Sequence, residues 1–132
     1  MIGRAPLFSS STADHATPPA FYAMLDAEFG FTLDPCPLGA ANQIMENDGL
    51  ARSWAGERVF CNPPYGNQIG RWLAKGREAE LAVFLIPSRT DTRWFHEYCL
   101  DADEIRFIKG RLKFGGAKFN APFPSMIVVF HA

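Results

Sequence analysis

The chain has 132 residues, 48% of them hydrophobic and 14% aromatic, with 13 basic and 14 acidic side chains and a formal net charge of −1. That is one globular domain, residues 14–132 behind a polar tail at 1–13, able to bury roughly 65–70% of its unfolded surface; the composition excludes a disordered polyelectrolyte. No apolar run approaches the ~20 residues needed to cross a bilayer, and three widely spaced cysteines, an odd number, argue against a disulfide framework, so a soluble, cytoplasmic chain is expected.

Thr17-Pro18-Pro19 opens a predicted helix. Its apolar positions Phe21, Met24, Leu25 and Phe29 follow the 3.6-residue period, and Gly30 ends it. Phe31-Thr32-Leu33-Asp34 reads as a short strand entering a Pro-rich loop, or alternatively as a capped turn. The interval 42–57 is mixed and polar, with a turn at Asp48-Gly49. It is too short for a complete strand-helix-strand excursion, so the sheet should be narrow on one side. A buried-strand pattern then runs from Arg58 to Cys61, followed by the loop Asn62-Pro63-Pro64-Tyr65, a helix over about 67–79 and an apolar strand over 81–86. Pro87-Ser88-Arg89-Thr90-Asp91 forms a second loop, with Asp91 placed to cap a helix whose Trp94, Phe95 and Tyr98 have core spacing. Residues 105–114 and 125–131 read as a closing strand pair. The pattern predicts an α/β sandwich: a mostly parallel sheet with one antiparallel strand near its edge.

Charge is unevenly spread. Residues 1–50 hold one basic side chain, Arg4, against six acids, whereas residues 51–132 hold twelve basic and eight acidic ones. Five basic residues and no acid lie between Arg106 and Lys118. Such a stretch suits phosphate, Arg111 and Lys113 being its central members, although a solvated hairpin face has the same composition. Arg89 and Arg93 are further phosphate candidates. His96 and Cys99, three apart, find no second pair with metal-ligand spacing and are read as structural.

The sharpest chemical signal is Asn62-Pro63-Pro64-Tyr65 at a strand's carboxyl end, where open α/β sheets bind ligands. The lone pair of an exocyclic amine such as adenine N6 is delocalised into its ring and is a poor nucleophile. Two acceptors, the Asn62 side-chain oxygen and the Pro63 carbonyl, can take its two hydrogens and stabilise the charge that builds on nitrogen during attack. Pro63 and Pro64 lack N–H donors and stiffen the loop. Tyr65 offers a stacking face worth ~1–3 kcal/mol per base, comparable to the few kcal/mol that extrude a nucleotide from a duplex. Phe123, between Pro122 and Pro124, is a second candidate stacking face or a core plug. A plain Asn-Pro-Pro-Tyr-Gly turn is the bland alternative.

With these residues in view, the sequence resembles the bacteriophage DNA N-6-adenine methyltransferases from about Asp14 onward. The resemblance runs in order through Thr17-Pro18, Phe31-Thr32-Leu33-Asp34, Asp48-Gly49-Leu50 with Trp54, and Val59-Phe60-Cys61-Asn62-Pro63-Pro64-Tyr65-Gly66. It continues through Pro87-Ser88-Arg89, Gly110-Arg111-Leu112-Lys113-Phe114 and Ala121-Pro122-Phe123-Pro124-Ser125. It implies a Rossmann-like methyltransferase fold, S-adenosylmethionine as cofactor and double-stranded DNA as partner, with no separate target-recognition domain. Sequence preference is then expected from the loops around 89–93 and 115–125. Thr17 and Pro18 would meet the methionine end of the cofactor, Asp34 its ammonium, and Asp48 the ribose hydroxyls, Glu46 being able to do the same. The sequence departs from that pattern where a Gly-x-Gly turn is usual, with only Gly39 after Asp34, and where His15 stands in place of a tryptophan. Cytosine N4 or a protein glutamine amide would suit the same amine cradle, and a DNA-binding protein without turnover is the non-enzymatic reading.

Overall fold

The computed structural model describes residues 16–37, 49–114 and 121–132. Helix α1, Pro19–Phe29, begins with proline at its first turn, where no N–H partner is needed, and stops at Gly30, whose φ of 65° only glycine adopts without strain. Leu25 and Phe29 are buried and Phe21 partly so, but Met24 is 57% exposed, a departure from the periodic reading. The buried stripe is narrower than the apolar one.

Strands β1 (Arg58–Cys61), β2 (Leu81–Pro87), β3 (Glu104–Phe107) and β4 (Ser125–His131) form one sheet in the order β1-β2-β4-β3. β1 and β2 pair in parallel, whereas β4 pairs antiparallel with both β2 and β3. The sheet is therefore mixed, with antiparallel pairs in the majority, and this corrects the expected mostly parallel sheet. The one antiparallel strand is the penultimate of the four, next to the edge strand β3. Three strands still run the same way; inserting β4 between two of them changes the pairing count without reversing them. The C-terminal antiparallel pair was expected, but β3 ends at Phe107 and not at residue 114. Residues 108–114 leave the ladder through Gly110, whose φ is 76°.

β2 explains why the sheet has layers on both sides. All seven of its residues are buried, as for a strand covered on both faces. The two-residue alternation sends Ala82, Phe84 and Ile86 to one face and Leu81, Val83 and Leu85 to the other. The first face packs against helix α2, Ile69–Lys75, through Ile69, Trp72 and Leu73, and against Phe95 and Cys99 of a wide helical turn, Phe95–Cys99. The second face packs against Leu25 and Phe29 of α1. α2 is shorter than the 67–79 helix expected, because it tightens into a 3-10 turn at Gly76–Glu78. Truncating a fully buried aromatic such as Phe84 to alanine costs roughly 3–5 kcal/mol in comparable cores.

Thr92, not Asp91, caps the turn that carries Trp94 and Phe95: the Phe95 N–H donates to Thr92 Oγ1 at 3.2 Å, and that hydroxyl donates to the Arg89 carbonyl at 2.8 Å. No helix among the described residues is long and apolar enough to cross a membrane. The three cysteines are buried, and no disulfide joins them.

Gly49 carries a packing constraint. Its carbonyl accepts the indole N–H of Trp54 at 3.0 Å. A Cβ there would overlap the Pro35 carbonyl oxygen and lie 2.8 Å from the Trp72 ring. Gly49→Ala is expected to cost about 1–3 kcal/mol through overpacking and to lower the thermal midpoint by several degrees. An unchanged melting curve would mean that the loop after Asp34 yields freely.

Candidate active site

The strand register brings Asp34, Asn62, Arg89 and Phe123 towards one rim. The Thr32 and Phe60 N–H groups donate to the Arg58 and Leu33 carbonyls at 2.7 and 3.0 Å, and Leu33 forms a parallel bridge with Val59. The segments carrying Asp34 and Asn62 therefore leave the sheet side by side, at carboxyl ends. The expected strand at residues 31–34 is only this single bridge. Arg58 fixes the approach by donating from Nε to the Phe29 carbonyl at the end of α1, 2.7 Å, and by pairing with Glu80 at 2.8 Å. Pro87 pairs with Ser125, and the Ser88 N–H donates to the Pro124 carbonyl at 2.9 Å. Because β4 runs backwards, its amino end brings Phe123 to the same rim.

Asn62 is 2% exposed, and its Nδ2 donates to Thr17 Oγ1 at 3.2 Å. Two residues 45 positions apart, assigned separately from sequence to the amine and to the cofactor, are thus in direct contact. The bond sets the plane of the amide and makes Oδ1 its acceptor arm. Pro63 and Pro64 are buried.

Tyr65 packs edge-on against Phe123 at 5.4 Å and against Phe114 at 6.2 Å between ring centroids. Arg89 lies over the Phe123 ring at 5.7 Å. Together Tyr65, Gly66, Pro87, Arg89, Trp94 and Phe123 line a cleft of about 500 Å³. The rings of Tyr65 and Phe123 meet at 78°. They form adjoining walls, so a flat ring placed between them would stack on one and meet the other at its edge. Asn62 does not line this cleft; Tyr65 does, and two prolines join the two residues.

Electrostatics separates the roles further. Burial pushes the Asp34 carboxyl up to about 6, against an opposing hydrogen bond from the Cys36 N–H at 3.2 Å. Among the described residues no basic side chain forms an ion pair with it. Burial, reinforced by neighbouring Cys61 and Cys36, holds the Tyr65 hydroxyl far above the ordinary phenol range, and burial likewise keeps Cys61 a neutral thiol. Neither ionises near neutrality.

A family model for DNA N-6-adenine-methyltransferases (Dam) matches residues 8–130, which takes in every segment of this rim. The chain belongs to this Dam family. The family's activity is methylation of adenine N6 in DNA, and DNA is its substrate. No curated protein and no solved structure matches the chain.

Other expected residues make contacts of their own or lie outside the described residues. Arg106, the first member of the basic stretch, is engaged elsewhere: its guanidinium forks onto Glu28 of α1 and its Nε donates to Glu104 at 2.6 Å. Those contacts raise the Arg106 pKa above its ordinary value and lower that of Glu28. Arg111 donates to the Ala121 carbonyl at 3.3 Å, bracing the segment before Phe123, and Lys113 is exposed. Arg93 pairs with Glu97 at 2.6 Å. Asp48, Glu46, Gly39, His15 and Lys118 lie outside the described residues. Among the described residues no group of three side chains could hold a metal; His96 bonds the Thr90 carbonyl at 2.8 Å. Sequence reasoning assigned Trp94 to the core and gave Phe114 no role in the site. Their only signals were an aromatic just after a capping threonine and one closing the Gly-Arg-Leu-Lys-Phe run.

Proposed function

We propose that this Dam-family domain transfers a methyl group from S-adenosylmethionine to N6 of an adenine turned out of double-stranded DNA, on a Rossmann-like scaffold with its site at the strand tips. The observation that carries the reading is the contact of Asn62 with Thr17 beside Asp34, next to an aromatic cleft.

Asp34 supplies the test of fit for the cofactor. A half-buried carboxylate with a raised pKa and no basic partner among the described residues is stabilised by an incoming cation. The ammonium of a methionine moiety is such a cation. Asp34 would hold it, Thr17 and Pro18 would border the methionine end, and Asp48 remains the proposed partner of the ribose hydroxyls. Bound there, S-adenosylmethionine supplies an electrophilic methyl group on a sulfonium.

The chain's own part is placement and charge stabilisation. Asn62 Oδ1 and the Pro63 carbonyl accept the two N6 hydrogens and draw electron density onto nitrogen. Their dipoles face the positive charge that develops there, and they are oriented before the reaction begins. Thr17 ties the amide of Asn62 to the segment bordering the cofactor, so nitrogen and methyl carbon approach within one rigid frame. Tyr65 contributes a neutral stacking face. The methylated nitrogen is then a strong acid and gives up its surplus proton to water, so no titrating base is required.

Incubation with duplex DNA and S-adenosylmethionine, digestion to nucleosides and mass analysis tests the reading. N6-methyladenine is the expected product; N4-methylcytosine alone, or no methylated nucleoside, would overturn it.

A further inference from the structure

A second cleft, of about 480 Å³, opens beside the aromatic one between the start of α2 and the turn after β2. Asn67 and Trp94 belong to the walls of both, so the two adjoin. We propose that this second cleft holds the nucleotide adjoining the target adenine on the same strand, with Arg71 on its phosphate and Trp94 and Tyr98 against its base and sugar. The proposal rests on the adenine-methylation reading and extends it to a specificity-determining subsite.

Charge, shape and adjacency point the same way. Arg93 and Glu97, both on the cleft wall, neutralise each other at 2.6 Å. Arg71 is exposed and, among the described residues, its side chain bonds the neutral side chain of Gln68 at 2.9 Å and no carboxylate, so it brings a net positive charge. Arg89 supplies another on the far side of the shared wall. A strand running from one cleft to the other would pass both cations. Half-buried Trp94 and Tyr98 add flat apolar surface. Cations along the backbone interleaved with aromatic faces are how unstacked strands are held. Gly70 keeps the space between them open: a Cβ there would sit 3.5 Å from Trp94 Cβ and 3.6 Å from Tyr98 Cε2, in ordinary contact. Gly70→Ala therefore folds normally and makes the cleft shallower.

Anisotropy of a short labelled duplex, measured across a salt series and paired with methylation kinetics, tests the proposal. Arg71→Ala should weaken DNA binding roughly 5-fold and reduce the slope of log K against log salt by about 0.9. Arg71→Lys should restore the slope, and cofactor affinity should be unchanged in both. Gly70→Ala should raise KM for DNA without lowering the thermal midpoint. Replacing one phosphate at a time with uncharged methylphosphonate should reveal a position, adjoining the methylated adenine, that weakens the wild type but not Arg71→Ala. A wild type that methylates adenine alongside an Arg71→Ala variant with unaltered affinity and slope would sink this inference alone. A change in oligomeric state in place of DNA binding would assign the cleft to a second copy of the chain. A wild type that methylates no adenine would remove the parent reading and this subsite with it.

Discussion

Asn62→Ala is expected to lower kcat by about 100- to 1000-fold, the loss typical of removing one preorganised dipole from a developing charge. The side chain also has a structural task, the bond to Thr17, worth roughly 0.5–1.5 kcal/mol of stability. Thr17→Val separates the two roles. It breaks the same bond but keeps the Asn62 carbonyl, so it should raise KM for the cofactor while leaving kcat much closer to wild type. Single-turnover rates and a thermal melt on both variants decide the matter. If Asn62→Ala turned over like the wild type, or if Thr17→Val lost as much kcat, the amide would be a brace and not a participant.

Asp34→Asn should move stability and cofactor affinity in opposite directions. The folded-state pKa of about 6 lies above the ordinary carboxyl value of 3.8. The protonated acid is therefore the form the fold prefers. Its relative benefit is complete below pH 3.8 and is lost as pH rises towards 6, leaving the ionised carboxylate to cost up to about 3 kcal/mol at neutrality. Asparagine keeps an acceptor for the Cys36 N–H and removes the charge, so the variant should melt higher than wild type at pH 7. The same change should weaken S-adenosylmethionine binding about 10- to 100-fold, since it removes a charge-assisted contact worth roughly 1.5–3 kcal/mol. In the wild type, affinity should fall as pH drops through about 6, by about tenfold per unit at the limit. Calorimetry across pH checks each statement. A pH-independent affinity, or a destabilised Asp34→Asn, would show that Asp34 serves the fold and not a cation.

The sequence disclosed the rim better than the sheet. Asp34 and Asn62 follow apolar runs, and the Leu33–Val59 bridge sets them side by side. Local pattern sufficed because a strand followed by proline has few ways to end. The direction of β4 was legible, but not its insertion between β2 and β3, because its run 125–131 is buried at all but the last residue and has no face that betrays its neighbours. Arg106 was misjudged for a related reason. Its partner Glu28 is 78 positions away, and no local charge pattern reveals an ion pair closed by tertiary packing. Met24 satisfied the helical period, yet periodicity fixes only the direction of a side chain and not whether anything covers it. Trp94 had core spacing and does pack against the core, while also lining both clefts. One residue served both purposes, and spacing could report only the first.

A structure of the protein with duplex DNA and a non-reactive cofactor analogue would test the central claim most directly. The account predicts the target adenine against Tyr65, with N6 at hydrogen-bond distance, about 2.7–3.2 Å, from both Asn62 Oδ1 and the Pro63 carbonyl. An adenine bound elsewhere, with Asn62 contacting only Thr17 and the surrounding protein, would contradict it.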